Sequence, residues 1–278
     1  MDDVILSAWH GGLGDSLQFS TLPEEFHKQQ GRDTYILENA PFRNPEIYDL
    51  VWGENPYVKG KKSGTRNAGD IPEIPYQEWV AEGKGTGKAI SNWELFHGLE
   101  PVNTYPKIYY EPEKHEGFDD AFIVDFSSIS IGYDKNQLKN IFEDMKREYP
   151  DKKFLSVYFK NDLFVEKDVD NVKHNVYDIG FEGYVEIENI FKYCDLMSSA
   201  YGVLTLSSGA SHLSSALQQY SPDLKSFCVM PEKWYNKHKK MGIFLFDNIQ
   251  HLTYKYGKIF NYWHHWICRS SPSKSFTC

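Results

Sequence analysis

The sequence predicts an α/β protein made of two open parallel sheets, and three observations carry that prediction. Strand-like apolar runs alternate with helix-period segments in both halves of the chain. Each half has a small-residue turn between a strand run and a helix, the junction where such sheets bind ligands. The length of 278 residues fits two domains at roughly 150 residues each.

The elements follow in order. Val4 to Ala8 is the first strand run, and Gly11-Gly12-Leu13-Gly14 the turn after it. Leu17, Phe19, Leu22 and Phe26 fall close to helical spacing, Gly31 ends that helix, and Thr34 to Leu37 is a second strand. Right-handed crossover makes the two strands parallel. Residues 38–112 are punctuated by Pro, Gly and Asn, which predicts loops and short helices, with Gly60 to Gly69 a flexible basic loop. The broken polar stretch Glu111 to Gly117 reads as the interdomain linker. Ala121 to Phe126, Phe154 to Phe159 and Gly202 to Leu206 are strands. Ser127 to Gly132 is a loop, and helices are expected around Leu138–Met145, Ile187–Leu196 and Ala210–Gln219. The domains expected are 1–114, 115–253 and a C-terminal helix and tail, 254–278, packing back on the first domain.

Composition narrows the function. The net charge of −9 argues against a default nucleic-acid binder. No apolar run approaches the roughly 20 residues that span a bilayer. Met1-Asp2-Asp3 before a short apolar run is not a signal peptide, so a cytoplasmic protein is expected. Cys194, Cys228, Cys268 and Cys278 form no C-x-x-C pair and read as reduced thiols.

Three segments carry candidate chemistry. In His10-Gly11-Gly12-Leu13-Gly14-Asp15 the glycines admit a close backbone approach, but Leu17 stands where a dinucleotide fingerprint has its third glycine, so NAD or FAD is not indicated. Asp15 reads first as a helix N-cap with Gln18 as its capping-box partner. Ser207-Ser208-Gly209-Ala210-Ser211-His212 joins a strand to a helix, where amides and the helix dipole favour an anion. Ser127, Ser128 and Ser130, followed by Lys135, lie at another strand end. Three patterns are set aside. Gly83 to Ala89 has Glu82 and Ala89 at obligatory P-loop positions, Asp168-Val169-Asp170 sits in a charged run, and His264-His265 has no ligand partner at metal spacing.

These residues resemble the heptosyltransferase-type glycosyltransferases, the ADP-heptose:lipopolysaccharide transferase family with the GT-B fold. The likeness rests on Gly11-Gly12-Leu13-Gly14-Asp15-Ser16 with Pro23, and on Ser207-Ser208-Gly209-Ala210-Ser211-His212-Leu213. It implies two Rossmann-like domains facing a central cleft, with Asp15 as general base and Ser208, Gly209 and His212 around the donor diphosphate. Lys135 would stand for a family lysine near the phosphates, and Asp162 or Glu166 for the donor-ribose partner. Ser207 replaces the family's Asp.

The reading is an inverting transfer from a nucleotide-diphosphate sugar, with no cofactor or metal. His10, Gly11, Gly12 and Gly14 form the acceptor-side turn, and Ser127, Ser128, Lys135, Ser207, Ser208, Gly209 and His212 the donor side. Lys59, Lys61, Lys62 and Arg66 form a basic run suited to acceptor phosphates, as on a lipopolysaccharide core. Two alternatives stay open: a phage-type DNA glycosyltransferase acting on hydroxymethylated bases, and a non-catalytic nucleotide-sugar-binding protein, which Ser207 permits.

Overall fold

The computed structural model describes residues 2–8, 10–69, 73–128, 132–159 and 175–255. The first half contains β1 (Val4–Ser7), α1 (Leu13–Leu17), α2 (Leu22–Gln30), β2 (Thr34–Leu37) and α3 (Pro45–Tyr48), which runs into a π-helical turn at Asp49–Gly53. It continues with β3 (Val58–Lys62), β4 (Ala68–Gly69), α4 (Glu73–Ala81) and α5 (Ala89–Phe96). The second half holds β5 (Ala121–Asp125), β6 (Ser127–Ser128), α6 (Lys135–Glu148), β7 (Lys153–Phe159), β8 (Asn175–Val176) and β9 (Gly183–Ile187). It ends with α7 (Ile190–Ser199), β10 (Gly202–Leu206), α8 (Gly209–Leu217), β11 (Lys225–Pro231), α9 (Glu232–Met241) and β12 (Gln250–Tyr254).

Two parallel sheets form, in the orders β3-β2-β1-β4 and β12-β11-β10-β5-β7-β9, with β6 and β8 as a separate antiparallel ribbon. Counted within their own sheets, the strands run 3-2-1-4 and 3-2-1-4-5-6. Each chain path works outward on one side of its first strand and then returns to the other side. The reversal lies between β1 and β4 in one sheet and between β5 and β10 in the other. A crevice opens at such a switch point, outside the carboxyl ends of the strands.

Local signals explain the element ends. Asn44 and Asp134 cap α3 and α6, each accepting the N–H of the residue two positions on at 2.9 Å. Gly31 and Gly242 end α2 and α9 in the left-handed conformation. Leu138, Phe142 and Met145 form the buried stripe of α6, packed on Phe122, Val124 and Phe154. A larger core joins both sheets, including Leu6, Leu17 and Trp52 from the first and Ile123, Tyr193 and Leu213 from the second.

Several expectations need correction. The helix expected across Leu17 to Phe26 is two helices. Pro23 has no N–H, and its ring would strike the Phe19 carbonyl in a continuous helix, so the chain turns at residues 18–21 and restarts. Asp15 is the third residue of α1, behind an N-cap at Gly12, and Gln18 accepts from Trp93 Nε1 at 3.4 Å instead of completing a box. The expected loop at Gly60–Gly69 contains β3 and β4. Ser127–Ser128 pairs with Val176 and Asn175 as a ribbon, and Ile187 ends a strand ahead of α7. The linker is held to α7 and the turn after α8: the Glu113 amide donates to Asp195 at 2.9 Å, and Lys114 Nζ to the Ser221 hydroxyl at 2.6 Å. The expected C-terminal helix lies outside the described residues, apart from Tyr254, which ends β12, and Lys255.

Candidate active site

The two motif turns sit at the two switch points and meet. A methyl group placed on Gly209, the first residue of α8, would lie 2.9 Å from Leu13 Cβ and 3.3 Å from the Gly14 amide nitrogen. One placed on Gly14 would lie 3.3 Å from the His212 ring and 3.5 Å from Gly209 Cα. Heavy atoms in packed contact stand about 3.5–4.0 Å apart. Glycine at both positions is what lets α1 and α8 touch.

In the first turn, Gly11 takes a left-handed φ of 63°, and a side chain there would run into the Pro41 carbonyl at 2.4 Å. The Arg43 amide donates to the Gly11 carbonyl at 3.0 Å, so residues 41–43 lie against the turn. The Gly12 amide donates to Asp15 Oδ2 at 3.2 Å, which orients a half-buried carboxylate. The point 2.6 Å from that oxygen where a Gly12 side chain would begin is 3.6 Å from Arg43 Nη1. Among the described residues Arg43 has no ion-pair partner. Carboxylate and guanidinium thus face a common space. His10 is exposed beside it.

In the second turn, the Ser207 amide donates to Tyr133 Oη at 2.9 Å, so that amide is already engaged and does not await an anion. The amides of Gly209 and Ala210 head α8, where a helix leaves N–H groups without internal acceptors. Ser208 Oγ is buried with no hydrogen-bond partner, and so is Ser128 Oγ in β6, just past the end of β5, the strand beside β10. A buried orphan hydroxyl costs about 1–3 kcal/mol. Ser127 turns inward instead, its amide donating to Asp125 Oδ1 at 3.0 Å.

His212 is 3% exposed. Its Nδ1–H donates to the Ser208 carbonyl at 2.8 Å, Nε2 has no partner, and its ring meets Phe244 and Phe246 edge-on. Burial pushes its pKa down to about 4, so the imidazole is neutral near pH 7. It anchors the turn and walls Gly14 rather than supplying a positive charge.

The other sequence candidates stand apart. Lys135 is exposed at the first position of α6. Lys59 lies 3.9 Å from Asp33, Lys61 lies over the Tyr48 ring at 4.3 Å, and Lys62 pairs with Asp3. With Lys59, Lys61 and Lys62 on edge strand β3 and Arg66 in the exposed-to-half-buried turn before β4, the basic run decorates a sheet edge, a placement that also discourages edge pairing. Asp162, Glu166, Asp168, Asp170, Ser130, His264, His265, Cys268 and Cys278 lie outside the described residues. Cys194 and Cys228 are buried free thiols.

Glu113, His115 and Asp195 bring three ligand atoms together away from this seam. Lys192 Nζ already sits 3.0 Å from Asp195 and 3.4 Å from Glu113, so an ammonium occupies the position a cation would take.

Sequence reasoning missed Arg43 and Tyr133. Nothing in their spacing marks them. Each reaches the site because a loop folds back onto a motif turn. It also missed the segment after α9. Tyr76 Oη donates to the Met241 and Gly242 carbonyls at 3.1 Å, tying the first half to a segment in which Phe244 holds a φ of 58°.

No protein-family model matches the chain, and no curated protein sequence does. Solved structures match its fold. The bacterial iron-containing dodecameric glycosyltransferase TibC from enterotoxigenic E. coli H10407 superposes with a TM-score of 0.56 at 12% identity, over 90% of this chain and 62% of that one. This chain therefore spans less than two thirds of TibC. The E. coli heptosyltransferase WaaC with ADP gives 0.53 at 8% identity, over 91% and 93% of the two chains. The family 9 glycosyl transferase from Veillonella parvula DSM 2008 gives 0.50 at 10%, over 91% and 84%. Two parallel α/β sheets meeting at their switch points are thus the GT-B-like architecture of the heptosyltransferase structures.

Proposed function

We propose that the chain transfers a sugar from a nucleotide-diphosphate donor to an acceptor hydroxyl, with inversion at the anomeric carbon. The observation that carries this reading is the contact between the Asp15 turn and the Gly209 helix start at the two switch points. Two kinds of group that the reaction needs, a carboxylate for the acceptor proton and helix-start amides for the leaving phosphate, stand on facing halves. The architecture shared with WaaC and TibC supports the reading.

In this mechanism Asp15 accepts the acceptor hydroxyl's proton as its oxygen bonds to the anomeric carbon. The bond from that carbon to the diphosphate oxygen breaks on the opposite face. General-base assistance is worth about 10²–10⁴ in rate. The diphosphate's new charge is met by the Gly209 and Ala210 amides and the Ser128 and Ser208 hydroxyls, whose missing partners the phosphate oxygens supply. Arg43 binds an anionic substituent of the acceptor and orients its hydroxyl toward Asp15. No step is assigned to a metal. The chain is expected to act in the cytoplasm. Among the described residues no helix is long and apolar enough to cross a membrane.

The test joins binding to turnover. A thermal-shift screen of nucleotide diphosphates and their sugars identifies the donor, because ligand binding raises apparent stability by RT ln(1 + [L]/Kd). Asp15→Asn should keep that shift and lose most turnover. Near-normal turnover in the variant would remove Asp15 from the mechanism.

A further inference from the structure

About half of the described lysines of this acidic chain are ion-paired. Lys28, Lys62, Lys88, Lys107, Lys146 and Lys153 each lie beside a carboxylate. Helix α9 gathers four of the others. Lys233, Lys237, Lys239 and Lys240 are all exposed, and among the described residues none has an ion-pair partner. Lys237 lies over the Trp234 ring at 4.8 Å, and the helix's own acid, Glu232, pairs with Lys255 at 3.5 Å.

Helix geometry places Lys233, Lys237 and Lys240 in one stripe, spread over about 10 Å of axis, while Lys239 projects from a different face roughly 100° or more away. The opposite face is spent on the fold. His238 is 6% exposed, and Trp234 and Tyr235 pack against core clusters. The pairing of Leu206 with Val229 puts the Ser207–Gly209 turn and the start of α9 on the same carboxyl edge of the sheet. The far end of α9 meets Tyr76 of the first half. The stripe therefore runs along the seam from one half toward the other.

We propose that α9 is a docking rail for a nucleic acid, with Lys233, Lys237 and Lys240 binding successive backbone phosphates. A phosphodiester strand is a line of charge and matches a line of ammonium groups, needing no apolar contact. An anionic membrane is the poorer partner, because an interfacial helix buries an apolar face in lipid and that face of α9 is already used. The docking needs no sugar donor and stands independently of the transfer reaction.

The test is fluorescence anisotropy of the full chain with a labelled 20-base-pair duplex across a salt series. Three phosphate contacts give a slope of log Kobs on log salt of about −3, or about 60-fold weaker binding at 200 mM than at 50 mM salt. The triple variant Lys233→Gln, Lys237→Gln, Lys240→Gln should flatten the slope to within about 1 of zero. The matching triple Arg variant should retain it, which separates charge from misfolding. Lys59→Gln with Lys62→Gln should bind as the parent does. A parent-like slope in the triple Gln variant overturns the rail, and so does a parent chain without salt-dependent duplex binding. Capture of phosphatidylglycerol vesicles in place of duplex through the same lysines overturns it too. Asp15→Asn should bind duplex normally, so a failed transfer mechanism leaves this result readable.

Discussion

Gly209→Ala tests the seam most directly. Its new methyl group meets Leu13 Cβ at 2.9 Å and the Gly14 nitrogen at 3.3 Å. Carbon atoms in packed contact stand no closer than about 3.5 Å, so α1 and α8 must separate by about half an ångström or more. Neither contact is the end of a flexible side chain, so little can yield except the helices themselves. Overpacking of this kind costs about 1–3 kcal/mol. Replacing glycine by alanine in a helix returns about 0.5–1 kcal/mol. The net loss expected is about 1–2 kcal/mol, or a fall of about 2–8 °C in Tm for a chain of this size. The chemical effect should be larger, since displacing a reacting group by about 1 Å can cost about 100-fold in rate. Calorimetry, with kcat measured beside donor affinity, reads both quantities. A variant with parental Tm and parental kcat would show that the two turns do not meet in solution, and the mechanism built on their contact would fall.

Other outcomes follow from the same geometry. Arg43→Gln should raise KM for the acceptor about tenfold or more while leaving the donor's thermal shift intact; equal loss of both would make Arg43 a structural residue. Burial holds His212 and His238 at about 4 in the folded chain, against 6.5 when unfolded. A depressed histidine contributes its stability fully above pH 6.5 and loses it as pH falls toward 4, by at most about 3 kcal/mol each. A denaturant midpoint unchanged between pH 7 and pH 4.5 would contradict that burial. Phe244→Ala removes a half-buried ring lying 5.3 Å from His212 and 5.2 Å from His238, and should cost about 1–2 kcal/mol in urea unfolding. Glu94 is fully buried and accepts from Thr21 and from the Val102 and Asn103 amides, so Glu94→Ala should cost about 3 kcal/mol or more, read in the same assay.

Much of this architecture is legible in the sequence. Thr34–Leu37 and Gly202–Leu206 are readable strands because each is a short apolar run bounded by turn residues, and that signal is local. The same holds for α6, whose Leu138, Phe142 and Met145 recur at helical spacing. Both motif turns are legible because glycine and serine cluster between a strand and a helix. The region after residue 220 is harder to read. β11 is buried nearly throughout and lacks alternation, and α9 shows charge more plainly than period. The basic run of Lys59 to Arg66 misleads for the opposite reason. Its composition is that of a loop, but its neighbours in space, Asp33 and Asp3, come from distant parts of the chain.

The sequence by itself determined where the chain extends, coils and turns, because capping residues, prolines and apolar periodicity act within a few residues. It also marked Asp15 and Ser208 as residues of interest. Only the tertiary structure decided what those residues face. Sheet order set the switch points, and long-range packing brought Gly14 against Gly209 and Arg43 toward Asp15. Packing likewise drove His212 to its neutral form and left the lysines of α9 without partners. Those outcomes depend on contacts between residues tens to hundreds of positions apart, and no local pattern of amino acids encodes such a contact.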